Sequence, residues 1–88
     1  MAVPQQPERP DIDYPVRWTY KIIGEDEQGL RAAVAEVVGD RDHAVAFSHN
    51  STTGRYLSLT LEVVVSDEDE RNGLFAALGA HEDVKVIL

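Results

Sequence analysis

Eighty-eight residues hold one domain with a single core, and the absence of cysteine excludes disulfide staples, thiolate chemistry, cysteine zinc sites and iron–sulfur ligation. The formal charge of −8, sixteen Asp and Glu against eight Lys and Arg, opposes binding to nucleic-acid phosphates and to anionic membranes. No segment approaches the ~18 consecutive apolar residues of a membrane span, and the N-terminus has neither the basic nor the apolar region of a signal peptide, so a cytoplasmic location is expected.

Met1–Asp13, MAVPQQPERPDID, is polar, rich in Pro and without hydrophobic period. It cannot bury enough surface to offset its ordering entropy and reads as a disordered tail. Its PxxP spacings (Pro4–Pro7, Pro7–Pro10) would suit a groove that accepts a polyproline helix. The domain proper is expected over residues 14–88.

Tyr14–Ile23, YPVRWTYKII, alternates as a strand does. Val16, Trp18, Tyr20 and Ile22 point to one face; Arg17, Thr19, Lys21 and Ile23 point to the other. Gly24 ends the strand at a tight turn. Glu25, Asp26 and Glu27 then place carboxylates at the free N–H groups of a helix start. Leu30, Ala33, Val34 and Val37 form one apolar stripe, and Gly39 is its expected cap. Ala44–Asn50 reads as a short strand with Val45 and Phe47 inward, followed by the turn cluster Ser51-Thr52-Thr53-Gly54.

Tyr56–Val65, YLSLTLEVVV, is the strongest strand signal, with Leu57, Leu59, Leu61, Val63 and Val65 inward. Ser66 and Asp69 have the spacing of a capping box. Leu74, Phe75 and Leu78 give the second helix its apolar edge, with Gly79 as the stop and Gly73 as a weak point. Val84–Leu88 reads as the last strand, with Val84, Val86 and Leu88 inward.

The order β-α-β-β-α-β predicts two split βαβ units: an α+β, ferredoxin-like sandwich whose two helices cover one face of a four-stranded antiparallel sheet. Right-handed crossovers put strands one and three in the centre. The segments TYKIIG, the acidic turn with its Ala/Val-rich helix, STTGRYLSLTLEV and LGAHEDVKVIL together resemble the YbeD-like family of small uncharacterised bacterial proteins, over about Tyr14 to Leu88. The resemblance implies a ferredoxin-like fold akin to ACT domains, modules that bind amino acids and regulate enzymes. It brings no catalytic residues and no cofactor.

Three places could carry function. The turn GEDEQGL is similar to the ACT turn in which an Asp, a Gly and an aliphatic residue lead into helix one. That similarity implies Asp26, Gly29 and Leu30 as ligand-binding residues. The turn lacks the Pro of that pattern and adds Glu25 and Glu27. Three carboxylates already answer the helix N-terminus, so a cation suits it better than an anion, and a charged helix start is the plainer account.

The open sheet face collects Arg17, Lys21 and Lys85 beside Glu62, Ser58 and Thr60. It could receive an acidic partner, or simply pair charges across strands, Arg17 or Lys21 with Glu62. Stacked bases are not expected there, because Trp18 and Tyr20 share the inner phase. The hairpin turn from His49 to Arg55 lacks the glycine pattern of a phosphate loop.

His43, His49 and His81 show no metal-ligand spacing, and no catalytic triad or nucleophile elbow can be read. The leading expectation is therefore a non-enzymatic regulatory or adaptor module working through self-association or an unidentified protein partner. Its edge strands, residues 44–50 and 84–88, would be the contact sites. The alternatives are an ACT-type sensor of a small-molecule effector such as an amino acid, and an enzyme built on a histidine.

Overall fold

Period-two burial runs the length of Val16–Gly24 (β1): Tyr20 and Ile22 are buried, Val16 and Trp18 half-buried, and Arg17, Thr19 and Lys21 exposed. The computed structural model describes residues 12–50 and 54–88. After β1 come Glu27–Val38 (α1), His43–Asn50 (β2), Leu57–Val65 (β3), Glu68–Ala80 (α2) and Val86–Ile87 (β4). The sheet is antiparallel in the order β2-β3-β1-β4, so the first and third strands lie in the centre as expected. This is the ferredoxin-like βαββαβ sandwich. Residues 1–11 of the expected tail, and Ser51 to Thr53 of the hairpin turn, lie outside the described residues.

Both helices sit on the inner face and close over one core. Tyr20 and Ile22 of β1, Leu59, Leu61, Val63 and Val65 of β3, Leu30, Ala33, Val34 and Val38 of α1, and Leu74 and Leu78 of α2 are all buried there. Val37 packs half-buried at the margin, and Val38 completes the α1 stripe in its place. Tyr20 keeps its phenol satisfied inside the core by donating to the Arg71 carbonyl at 2.6 Å. Burial pushes the Tyr20 phenol above its ordinary value, with Arg71 opposing. Among the described residues no buried side-chain nitrogen or oxygen lacks a hydrogen-bond partner.

The helix caps differ in detail from expectation. Asp26 caps α1, its carboxylate accepting from the Gly29 N–H at 2.8 Å. At α2 the cap is Asp67 rather than Ser66: its side chain accepts from the Glu70 N–H at 2.7 Å. Glu70 in turn reaches back to the Ser66 N–H at 2.6 Å. The pair resembles a capping box moved one residue along, with Glu, the preferred acid, three residues after the cap, but Glu70 accepts from the residue before the cap rather than from the cap itself. Gly79 does not stop the helix, which runs on to Ala80 because the cap is completed by the His81 N–H donating to Leu78.

The Ser66 N–H and the Arg41 guanidinium, 3.0 Å away, hold the Glu70 carboxyl below the usual carboxylate range. A folded-state value below the unfolded one stabilises the fold above the ordinary carboxylate pKa. That contribution is lost as pH falls through the folded value. Melting temperature followed from about pH 7 to about pH 3 should therefore fall more for the wild type than for Glu70→Gln. Parallel curves would show that Glu70 contributes nothing to acid stability.

The last strand departs most from expectation. Only Val86 and Ile87 pair, and the inward residue is Ile87, not Val86 or Leu88. Ile87 lies opposite the buried Ile22 and Val86 opposite Ile23, and directly opposed residues share a face. The phase is set by this register, fastened by Lys85 N–H to Ile23 O at 2.8 Å and Leu88 N–H to Lys21 O at 2.9 Å. Val84, ahead of the strand, is buried as expected, while Val86 and Leu88 are exposed.

Candidate functional site

The β1–α1 turn is packed rather than open. Asp26 is engaged as the α1 cap, and Leu30 is fully buried in the core. Gly29 lies against Asp83: a side chain there would meet the Asp83 Cγ at 2.7 Å. The segment before β4 thus covers the turn, and the three residues serve as cap, contact and core within one chain. Glu25 faces Arg55 at 3.9 Å, and Glu27 pairs with Arg31 at 2.8 Å, so the added acids are used in local ion pairs.

On the open face, register places Thr19, not Arg17 or Lys21, opposite Glu62. Lys21 faces Thr60, and Arg17 lies opposite Val64 and reaches Asp42 at 3.5 Å. Lys85 precedes β4, and the alternation of that strand sets Val86 beside Ile23 on the open face. Arg17, Lys21 and Glu62 therefore share a face, as exposed positions on the central strands, and its β4 side is apolar rather than basic.

Two side-chain networks were not legible in the sequence. Arg71, its side chain 18% exposed, stacks on the Trp18 ring at 4.5 Å and donates to the Tyr14 hydroxyl at 3.1 Å. This cluster fastens the start of α2 to the start of β1. Between the helices runs a groove of about 560 Å³ with an apolar floor of Val37, Leu74 and Ala77. Arg41–Glu70 closes one part of it and His81–Glu36, at 3.3 Å, another. The Asp83 N–H donates to the His81 Nδ1 at 3.2 Å, which leaves Nε2 as the proton-bearing atom facing Glu36. His81 is thus held on both sides by structural partners. Among the described residues no three His, Asp or Glu side chains gather as a metal site would need.

The edge strand β2 stands apart. Helix α1 packs on β1 and β3, α2 packs on β3 and β4, and neither makes a substantial contact with β2. Val45 and Phe47 lie opposite the buried Leu61 and Leu59, so both are on the inner face. Yet Val45 is only half-buried and Phe47 is 47% exposed, because neither helix packs substantially on this strand. The phase expected for Phe47 holds and its burial does not. A signal was present: residues 43–54 contain no Asp, Glu, Lys or Arg, the longest such run in the chain. Natural edge strands are usually guarded by charge, Pro or shortness. The opposite edge, β4, is only two residues long, whereas β2 has eight and neither of the first two guards.

Residues 9–88 match the family model described as "Protein of unknown function (DUF493)". An uncharacterised protein of Campylobacter jejuni is 34% identical over 71 residues, covering 81% of this chain and 82% of its own. A UPF0250 protein of Hahella chejuensis is 33% identical over 94% of this chain and 96% of its own. The solution structure of HP0495 from Helicobacter pylori superposes with a TM-score of 0.82 at 24% identity, over 100% of this chain and 97% of that one. The ACT domain of a GTP pyrophosphokinase from Chlorobium tepidum gives a TM-score of 0.57 at 20% identity, over 83% and 97%. At these identities both structures speak for the fold alone.

Proposed function

The chain belongs to the DUF493 (UPF0250, YbeD-like) family, and from that premise we propose that it serves as a non-enzymatic regulatory or adaptor module of the cytoplasm, acting through protein contacts at β2. The observation that supports this reading is the uncovered inner face of β2, with Phe47 47% exposed on an uncharged eight-residue edge. An exposed aromatic on an open edge supplies both the apolar area and the unpaired backbone groups that association uses. The ionisable clusters, by contrast, are engaged in holding helices and strands together: Asp26 and Asp67 as caps, His81 between Glu36 and Asp83.

An ACT-type amino-acid sensor at Asp26, Gly29 and Leu30 takes second place, since Asp83 already lies against that turn. Light scattering over a range of concentrations tests the leading reading. The wild type is expected to exceed its 9.7 kDa monomer mass as concentration rises, and Phe47→Asp to remain monomeric while keeping the wild-type circular dichroism. A wild type that stays monomeric throughout and retains no partner in a pull-down, or an equally associated Phe47→Asp, would overturn it.

A further inference from the structure

We infer that the partner of β2 is β2 of a second copy, paired antiparallel about a two-fold axis at Ala46, so that two sheets join edge to edge with their helices on the same side. The inference rests on the association reading above and names its occupant. An isologous contact must be self-complementary: what residue i offers, its opposite must accept. Taken in both directions from Ala46, the strand His43-Ala44-Val45-Ala46-Phe47-Ser48-His49 is a near palindrome. Val45, Ala46 and Phe47, the steps nearest the axis, lie within the regular stretch that ends at Phe47.

In this register Val45 faces Phe47 of the second copy, and Phe47 faces its Val45. These are the two apolar inner-face residues of β2, the strand on which neither helix packs substantially. An aromatic opposite a β-branched residue is a favourable cross-strand pair, and the dyad makes it twice. On the open face Ala46 meets Ala46, small enough for the strands to close without a clash. Centring on Val45 instead would set each Phe47 against His43 and leave Val45 against itself, a poorer apolar match. The irregularity between Phe47 and His49 bounds the regular stretch and keeps the contact short.

Charge agrees with this choice of edge. Each copy carries −8, so two copies repel almost anywhere they meet. The run 43–54, free of Asp, Glu, Lys and Arg, is where that repulsion is least. The other edge, at β4, offers two paired residues followed by Leu88.

A chain without cysteine allows a direct test, because any cysteine introduced is the sole one. Directly opposed residues of an antiparallel pair lie about 4.5–5.5 Å apart between Cα atoms, within reach of a disulfide. Ala46→Cys should therefore give a covalent dimer under oxidised glutathione. Ala44→Cys, also exposed and on the same face, should not. In the same register its two thiols stand roughly 14 Å apart at about 3.4 Å per residue, too far to bridge. Crosslinking of Ala46→Cys at least about ten-fold faster than of Ala44→Cys supports the inference.

If the wild type associates through Phe47 but only a mixture of the two variants crosslinks, the axis lies at Val45 and the register is wrong. If neither variant crosslinks, alone or mixed, while association through Phe47 persists, the antiparallel pairing of β2 with β2 is wrong and the broader reading survives. A monomeric wild type overturns the second copy, and only if a pull-down also retains no partner does the broader reading fall with it.

Discussion

Gly24→Ala is expected to lower the stability of this domain by about 3 kcal/mol, the upper part of the range for forcing atoms into a filled site. The added methyl would stand 2.5 Å from the Asp83 carbonyl oxygen and 2.9 Å from the Leu30 Cδ2. Neither neighbour can step aside. Leu30 is fully buried, and the Asp83 backbone lies in a segment fastened by Val84 N–H to His81 O at 3.0 Å and Lys85 N–H to Ile23 O at 2.8 Å. Relief requires β4 to lift from β1, which would uncover Val84 and Ile87. The gain from a less flexible unfolded chain, about 0.4–1 kcal/mol, is too small to offset this. Gly73→Ala is the matched control: it lies in α2 with nothing within 4 Å of the added methyl, so it should stabilise by up to about 1 kcal/mol. Urea denaturation of the two variants should move the midpoints in opposite directions. A Gly24→Ala midpoint within error of the wild type would show that Asp83 yields.

In the sequence Gly24 stands where a turn needs backbone freedom, and the physical reason for it proves to be space. Its φ is not in the left-handed region, which among the described residues only Gly39 and Gly54 occupy. Chain-local patterns of this kind reveal that a glycine is needed, while the reason depends on a segment about sixty residues away. The same division runs through the fold. Alternation in β1 and β3, and the stripe in α1, are periodic over enough residues that noise cannot hide them, and they determine element type and sheet order. Val84–Leu88 is too short for that. Five residues with several apolar positions fit either phase, and only the pairing of Ile87 with Ile22 selects one.

The candidate site was legible to a similar degree. Asp26, Gly29 and Leu30 do come together, but the pattern could not show that Asp83 would fill the space beside them. Arg17, Lys21 and Glu62 share a face because they share a period, whereas Lys85 depended on the phase of β4. For β2 the period told which way Phe47 points and could not tell what lies over it. Coverage is a property of helix placement, decided by contacts remote in sequence. The uncharged run 43–54 was the available sign, since an ordinary solvated edge of an acidic protein would carry charge.

Leu61→Ala and Phe47→Ala separate the core from the edge, and the first should show much the larger loss of stability. Leu61 is fully buried in the middle of β3, with Tyr20 opposite on one side and Val45 on the other. Removing its isobutyl group from a site walled by strands and helices leaves a cavity that cannot collapse, at a cost of about 2–5 kcal/mol. For a domain of this size that is a shift of roughly 4–8 °C in melting temperature per kcal/mol, against a total stability of about 5–15 kcal/mol. Phe47 sits on the same inner face, opposite Leu59, but with 47% of its surface exposed. Its truncation should cost less than about 1 kcal/mol yet abolish the rise in mass with concentration. Leu61→Ala, where it remains folded, should keep that rise, because Leu61 lies on β3, one strand in from the edge, and is fully buried. The two measurements thus dissociate in opposite senses. A Phe47→Ala variant as unstable as Leu61→Ala would place Phe47 in the core and remove the ground for an interface at β2.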